Sequence, residues 1–155
     1  MNAYELYSFG NAKQEPLVHL EREYRKRLRS FCELKLIELP LAQSSLPDAI
    51  AKREEGKTLL KRITENRTLI ALDQIGEQLD SQQFAATIEK YSSIGRRIPA
   101  FAIGGPLGWD EAVRKRADLL LSLSKLTLPY AVARLIFFEQ LYRASTIISH
   151  RPYHK

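Results

Sequence analysis

Two short apolar segments constrain the fold of this 155-residue chain more than any other feature. TLIAL (residues 68–72) and IPAFAI (residues 98–103) show no alternation of polar and apolar residues. Strands of that kind are buried on both faces, as in parallel sheets covered by helices. Because segments of helical periodicity separate such strands along the chain, the sequence predicts an α/β fold with a parallel-rich sheet flanked by helices.

The remaining elements fit this alternation. Asn2–Phe9 and LKLIELP (residues 34–40) are predicted strands. Helices are predicted after residue 15, from Pro47 to about Ile63, from a cap at Ser81, from about Asp110 and after Pro129. The apolar face of the first helix is predicted to contain Leu17, Leu20, Tyr24, Leu28 and Phe31. A chain of this length is enough for one domain, which we expect to span residues 1–155.

The N-terminus, the apolar stretches and the cysteine count limit which kind of protein this chain can be. The N-terminus does not resemble a secretory signal, and no apolar stretch is long enough to cross a bilayer, so we expect a cytoplasmic protein without a membrane partner. Cys32 is the only cysteine, which excludes an internal disulfide and a cysteine-based metal cluster. We expect no metal.

The formal net charge of +6 permits binding to a polyanion without requiring it. A basic stripe of Arg22, Arg25, Lys26 and Arg29 follows one side of the first predicted helix. The favoured interpretation is a solvated helix face paired with Glu21 and Glu23.

Glycine-containing turns follow two of the predicted strands, at Asp73–Gly76 and Gly104–Gly108. Open α/β sheets bind ligands at the carboxyl ends of their strands, and glycine allows the backbone to approach a ligand closely. GGPLG has neither the dinucleotide nor the phosphate-loop spacing, so a tight turn without a ligand is the alternative.

The segment Ser122–Pro129 places three hydroxyl groups and Lys125 at another predicted strand exit. Such groups suit a binding loop, and they equally suit the capping of the helix that follows. Both interpretations stay open on the residues alone.

The last predicted helix has apolar residues on every side at residues 135–138, so it needs partners on more than one side, such as its own sheet and a second copy of the chain. Glu139 and Arg143 have the spacing of an ion pair. The terminal HRPYHK either frays or presents cationic and aromatic groups to RNA, and His154 can exchange a proton near neutral pH.

Four motifs, IGGPLG, LSLSKLTLP, EQLYRA and the terminal PYHK, occur in the order and at the spacing of one known family. With KREEG and TLIALDQIG, they make the whole chain resemble the RlmH family, which methylates N3 of a pseudouridine in helix 69 of 23S ribosomal RNA. The resemblance implies a SPOUT fold with a C-terminal trefoil knot, a homodimer, S-adenosylmethionine as methyl donor and the assembled 70S ribosome as substrate.

The resemblance also implies site residues. Catalytic roles are expected for Arg143, Tyr153 and His154, with Arg143 contributed by a partner subunit. The expected cofactor-binding residues are Leu72, Ile103, Gly104, Gly105, Gly108, Leu123, Ser124, Lys125, Leu126, Thr127 and Leu128.

Two positions depart from the family pattern: Tyr130 stands where the family usually has histidine, and Glu77 where lysine is common. Tyr130 favours one alternative, a non-catalytic ribosome- or RNA-binding module of the same fold. The glycine turns alone permit a second, a domain that binds another adenine nucleotide.

Overall fold

A computed structural model describes residues 1–10, 13, 15–95 and 97–155. Within them, five parallel strands form one sheet in the order β2-β1-β4-β3-β5. The strands are β1 (Asn2–Phe9), β2 (Cys32–Leu39), β3 (Arg67–Gln78), β4 (Ile98–Ile103) and β5 (Leu119–Ser122). The helices are α1 (Glu15–Leu28), α2 (Asp48–Leu60), α3 (Ser81–Ser93), α4 (Glu111–Arg116) and α5 (Tyr130–Ile148). The predicted α/β class and parallel sheet are confirmed.

The sheet is covered on both faces, as its apolar strands require. Alternate strand residues contribute to two separate cores. Phe101 lies in the core beneath α1, α3 and α5, and its neighbour Ala102 lies in the core beneath α2 and α4. Residues 99–103 of the central strand β4 are all buried, which explains why IPAFAI contains no polar position.

The inward face of α1 differs from the prediction. Leu28 is buried and Tyr24 packs against the core, but Leu20 is 45% exposed and Phe31 lies beyond the helix end. Glu21 is buried instead, because it binds a buried arginine of α5. The prediction from hydrophobic spacing alone is therefore wrong at Leu20, since Glu21 is the residue that is buried there.

Gly56 occupies the middle of α2, where glycine is unfavourable by about 1 kcal/mol relative to alanine. A Cβ atom at Gly56 would lie 2.5 Å from an Asp110 side-chain oxygen and 3.1 Å from Val113. Glycine thus permits the close approach of α2 and α4. The helix ends at Leu60 rather than at the predicted Ile63, which lies in the turn that follows.

β3 is longer than predicted, and the expected turn at Asp73–Gly76 lies inside it. The ladder with β5 is irregular there, since Leu121 pairs with both Leu72 and Glu77. A Cβ atom at Gly76 would lie 2.6 Å from the Leu120 backbone. Glycine at position 76 therefore allows β3 and β5 to pack closely at this irregularity. The trefoil knot stays a prediction.

α3 is capped by Asp80 and not by Ser81 as predicted. The Asp80 carboxylate accepts from the Gln83 N–H at 2.7 Å, and the Gln83 side chain accepts from the Asp80 N–H at 2.8 Å. This reciprocal pair satisfies two free N–H groups at the helix start. The Ser81 hydroxyl donates to Gln140 of α5 instead.

α5 is the longest helix in the described part of the chain. Phe137, Phe138, Leu141 and Ala144 are fully buried against the sheet and its neighbours. Leu135 and Ile136, which complete the apolar run, are only half-buried. The described residues contain no helix with the length and apolar character needed to cross a membrane.

Candidate cofactor cleft and C-terminal tail

A cleft of about 450 Å³ opens at the carboxyl ends of β4 and β5 and beside residues 72–74 of β3, where the β3–β5 ladder becomes irregular; we call it the strand-end cleft. It lies where parallel α/β sheets bind ligands, because the loops that leave neighbouring strands meet there. Its lining consists of Leu72, Asp73, Gln74, Ile103, Gly104, Gly105, Pro106, Leu107, Gly108, Arg114, Leu123, Ser124, Leu126, Thr127, Leu128, Pro129, Tyr130 and Ala133.

Ten of the eleven residues predicted to bind the cofactor line this cleft. The exception is Lys125, which is exposed and does not line it. Asp73 and Gln74 also line the cleft; they belong to the predicted glycine turn but not to the expected cofactor-binding set, and Arg114 was missed. The Arg114 Nε donates to the Asp73 carboxylate at 2.8 Å, and Gln74 donates to the Thr127 hydroxyl at 2.9 Å. The only signal for Arg114 in the sequence was its position on the helix that follows the Gly104–Gly108 turn.

The Gly104–Gly105 turn is packed tightly from behind. Trp109 is fully buried beneath it and donates its indole N–H to the Leu72 carbonyl at 2.9 Å. A Cβ atom at Gly104 would lie 3.1 Å from the Trp109 ring, and one at Gly105 would lie 2.7 Å from Leu41. Both glycines therefore hold the turn in a position that larger residues would shift.

The hydroxyl groups of the segment Ser122–Pro129 mainly shape their own loop. Ser124 accepts from the Leu126 N–H at 3.0 Å through its side chain, and its carbonyl accepts from the Ser122 hydroxyl at 3.1 Å. The N-cap of α5 is Pro129, and it makes no side-chain cap hydrogen bond. The structure thus favours the cleft-lining interpretation of this loop over helix capping. Leu126, which is 74% exposed, lies at the mouth.

Two of the three predicted catalytic residues, Arg143 and Tyr153, lie elsewhere, around Glu139; we call these three residues the tail cluster. The predicted ion pair is confirmed, with Arg143 Nη2 donating to Glu139 at 2.5 Å. Tyr153 donates to the same carboxylate oxygen at 3.3 Å, and the Arg143 guanidinium lies 4.8 Å from the centre of the Tyr153 ring. The C-terminal tail is therefore bound to α5 at this point and is not simply frayed.

Burial, with Tyr24 and Glu139 close by, raises the pKa of Tyr153 to about 12. The phenol therefore stays protonated at neutral pH and acts as a hydrogen-bond donor. The neighbouring His154 has a buried Nδ1 that meets no hydrogen-bond partner among the described residues.

None of Arg143, Tyr153 and His154 lines the strand-end cleft of its own chain. Arg143 follows Tyr130, which does line it, by 13 residues on α5, a separation of roughly 20 Å along the helix axis. A single chain thus keeps the two predicted halves of the site apart. In the described part of the chain, His, Cys, Asp and Glu side chains form no group that could hold a metal ion.

Comparison with known proteins identifies the family. The family model described as "Predicted SPOUT methyltransferase" matches residues 2–154. The chain belongs to the SPOUT methyltransferases. The ribosomal RNA large subunit methyltransferase H 1 of Clostridium perfringens (strain SM101 / Type A) is 39% identical over 155 residues, which cover 96% of each chain. The corresponding methyltransferase H of Clostridium botulinum (strain 657 / Type Ba4) is 40% identical over 97% of this chain and 98% of the relative. The resemblance to the RlmH family is thereby confirmed.

One solved structure is also similar: the SpoU methyltransferase AviRb from Streptomyces viridochromogenes in complex with AdoMet. The TM-score is 0.49 at 12% sequence identity, over 96% of this chain and 59% of that one.

Tyr130, one of the two positions that differ from the expected family pattern, takes part in a hydrogen-bond network of the fold. The Tyr130 hydroxyl is hydrogen-bonded to the Ser8 hydroxyl, donates to the Gly10 carbonyl at 2.9 Å and accepts from Arg134 at 3.1 Å. The ring lines the cleft while the hydroxyl points into this network. Tyr130 therefore joins the start of α5 to the end of β1.

Arg134, only 3% exposed, is the centre of that network. It binds both carboxylate oxygens of Glu21 at 2.7 Å and reaches Glu38 at 2.8 Å. Burial opposes its charge, but the hydrogen bonds with Glu21, Glu38 and Tyr130 outweigh that effect and raise the pKa of Arg134. This ion-pair network, which the sequence analysis did not foresee, fixes the wall of the cleft against α1 and β2.

Proposed function

We propose that this protein transfers a methyl group from S-adenosylmethionine to N3 of a pseudouridine in 23S ribosomal RNA, acting in the cytoplasm as a homodimer on the assembled 70S ribosome. The observation that carries the proposal is the strand-end cleft of a SPOUT methyltransferase, whose lining includes ten of the eleven residues expected to hold the methyl donor. The similar length and 39–40% identity of relatives named ribosomal RNA large subunit methyltransferase H support the choice of substrate.

The cleft fits the donor in size and in chemistry. Its volume of about 450 Å³ falls in the range of roughly 300–1,000 Å³ common for small-molecule sites. Leu72, Ile103, Leu126 and Leu128 provide apolar surface for an adenine ring, and the backbone of the Gly104–Gly105 turn offers polar groups without side chains in the way. When bound, S-adenosylmethionine supplies a methyl group on a sulfonium, which needs alignment with the acceptor more than activation.

The acceptor nitrogen carries a proton that must leave, and the tail cluster has the groups for this task. Arg143 stabilises the anion that develops on the base. Tyr153 orients the acceptor as a hydrogen-bond donor, because its phenol is protonated at neutral pH. His154, whose Nδ1 has no hydrogen-bond partner among the described residues, takes up the proton as the general base.

Two chains are required to bring donor and acceptor sites together. Val132, Leu135, Ile136, Glu139 and Arg143 recur at helical spacing along one side of α5, and in the single chain all five are only half-buried. A second α5 packed on this stripe covers its apolar part. By two-fold symmetry, each chain then presents its tail cluster to the cleft of its partner.

A mixing experiment tests this arrangement. Gly105→Val disables the cleft and Arg143→Ala disables the tail cluster, so each homodimer is expected to be inactive on 70S ribosomes that lack the modification. A co-expressed 1:1 mixture is expected to recover roughly a quarter of wild-type turnover, because half of the dimers are mixed and each holds one intact site. A mixture as inactive as its components would contradict a shared site.

The non-catalytic alternative is tested by the same ribosomes and isotope-labelled donor. The position of Tyr130 no longer favours it, because the hydroxyl closes a structural network beside the cleft. We expect labelled methyl to appear in 23S ribosomal RNA with wild-type protein. Tight ribosome binding with no methyl transfer would support the non-catalytic module instead.

A further inference from the structure

The basic residues of α1 border a groove of about 430 Å³ at the edge of the sheet, which we call the basic groove. It runs between α1 and the edge strand β2. Four of its eight lining residues are cations, and one is a carboxylate. The lining consists of Arg22, Glu23, Arg25, Lys26, Leu28, Arg29, Cys32 and Leu34.

The four cations form one row. Arg22, Arg25 and Lys26 have the spacing i, i+3, i+4, which places them on the same side of α1. Arg29 continues the row in the turn directly after the helix, so that the row extends over about 10 Å. One strand of a nucleic-acid duplex presents a phosphate about every 3 Å of its axis. The row is therefore long enough to meet several phosphates of one strand.

These cations are largely free of protein partners, contrary to the pairing expected from the sequence. Both oxygens of Glu21 are held by Arg134 inside the protein, which leaves Arg25 only a 3.9 Å contact with that carboxylate. Among the described residues, no carboxylate lies within 4.0 Å of the charged groups of Arg22, Lys26 or Arg29. The folded protein has thus removed the main counter-charge from this helix face.

The floor of the groove adds no negative charge. Leu28 and Leu34 are apolar, and burial raises the pKa of the Cys32 thiol to about 11, so that it stays neutral. Glu23 is the single acidic group at the rim. The groove is thus strongly complementary to a polyanion.

The other side of α1 packs against the C-terminal tail. The Arg27 guanidinium lies 5.4 Å from the ring centre of Tyr24 and 5.9 Å from that of Tyr142, and the Tyr142 and Tyr153 rings are 4.7 Å apart. One helix therefore carries the basic groove on one side and supports the tail cluster on the other. The groove and the tail contacts are therefore separated by about one helix diameter, roughly 10 Å.

We propose that the basic groove between α1 and β2 is a docking surface for ribosomal RNA phosphates that flank the target base. This inference rests on the proposed function for the identity of the RNA. The groove contributes affinity and orientation, since phosphate contacts position a nucleic acid without reading its sequence.

The test compares two charge-matched triple variants. Arg22→Gln, Lys26→Gln and Arg29→Gln together remove three positive charges from the groove while keeping helix propensity similar. The control, Lys57→Gln, Lys61→Gln and Arg62→Gln, removes three exposed positive charges from α2 and the turn after it, on the other face of the sheet.

Binding to 70S ribosomes that lack the modification is measured at constant magnesium between 50 and 200 mM KCl, with S-adenosylhomocysteine present. The slope of log affinity against log salt is expected to fall by about 2 to 3 in the groove variant, close to one unit for each phosphate that is no longer neutralised. Its KM for ribosomes rises roughly tenfold or more, while calorimetry shows unchanged affinity for S-adenosylmethionine, which verifies that the variant is folded. The control variant keeps a slope within one unit of wild type.

Equal slopes for the groove variant and wild type, or equal losses in both triple variants, would overturn the docking surface. Failure of the proposed function gives a different result: wild type that binds ribosomes without methylating them leaves the slope comparison intact. Wild type that does not bind ribosomes overturns both.

Discussion

The strand-end cleft and the tail cluster differ in what a single chain can complete. The cleft is assembled within one chain, with three adjacent strands closing around about 450 Å³. The tail cluster is equally ordered around Glu139, but it lies roughly 20 Å further along α5. The proposed cofactor site therefore requires only the fold of one chain, whereas the proposed chemistry requires pairing with a second copy.

The largest expected effect comes from a variant that loses a residue of the tail cluster and leaves the cleft unchanged. For Arg143→Ala we expect turnover to fall by about 10²–10³-fold, because the developing anion loses its charge-assisted partner. Affinity for S-adenosylmethionine, measured by calorimetry, should stay within about twofold of wild type because Arg143 lies outside the cleft. Arg143→Lys serves as the control, with part of the turnover restored. Parallel losses of cofactor affinity and turnover would remove the distinction between the two regions.

A substitution in the Arg134 network, which forms the wall of the cleft, is expected to lower the stability of the protein more than a substitution in the cleft lining. Arg134→Met leaves Glu21 buried without its partner, and breaking a buried pair in this way costs about 3–5 kcal/mol in free energy of unfolding. Urea denaturation measures the loss. Adding Glu21→Gln to Arg134→Met removes the unpaired charge and is expected to restore part of the stability. A single variant as stable as wild type would show that the network does not hold the wall.

A variant in the cleft is expected to lose affinity for the cofactor, whereas a variant in the tail cluster is expected to keep that affinity and lose turnover. In Gly105→Val the new Cβ would meet Leu41 and Glu55 at 2.7 and 2.9 Å, so the turn must shift. We expect affinity for S-adenosylmethionine to fall at least tenfold, about 1.4 kcal/mol, in calorimetry. Gly95→Ala provides the control, since that glycine has a positive φ of 61° but lies outside the cleft. Equal cofactor affinity in Gly105→Val and wild type would contradict the assignment of the turn.

Tyr130→Phe tests the position at which the chain departs from its family. The ring still lines the cleft, but Gly10 and Arg134 lose a hydrogen-bond partner, which costs about 1–2 kcal/mol of stability. Thermal unfolding detects this loss, and ribosome methylation should continue with a modestly higher KM for S-adenosylmethionine. Abolished turnover at saturating cofactor would instead place the hydroxyl among the reacting groups.

The smallest expected effect concerns pH. Because the pKa of Tyr153 is raised to about 12, the phenol keeps its proton from pH 6 to pH 9, and its loss in Tyr153→Phe should lower the rate without changing the shape of the pH profile. His154→Ala is expected to lower turnover while ribosome affinity stays normal, because the proposed general base is lost. Full turnover in His154→Ala, or a pH profile whose shape changes in Tyr153→Phe, would contradict these roles.

Much of the fold followed from local pattern. The unalternating segments at residues 68–72 and 98–103 predicted buried parallel strands, and β4 has the predicted bounds. Sequence reasoning failed where a distant partner competed with a local signal. Asp80 rather than Ser81 caps α3 because Gln83 reciprocates its hydrogen bond, and β3 continues past Leu72 because β5 pairs with both sides of the irregularity.

The sequence by itself determined the parallel α/β architecture, because buried strands and the turns after them are local features. The resemblance of its motifs to a known family determined the family and ten of the residues that line the cleft. Only the tertiary structure showed that Glu21 turns inward to Arg134, that Tyr130 belongs to the same network, and that Arg143 and Tyr153 lie away from the cleft of their own chain. These outcomes depend on which charged groups meet across distant segments. The periodicity of the sequence does not show which charged groups will meet, because the free energy of a buried ion pair arises only once folding has excluded water around both partners.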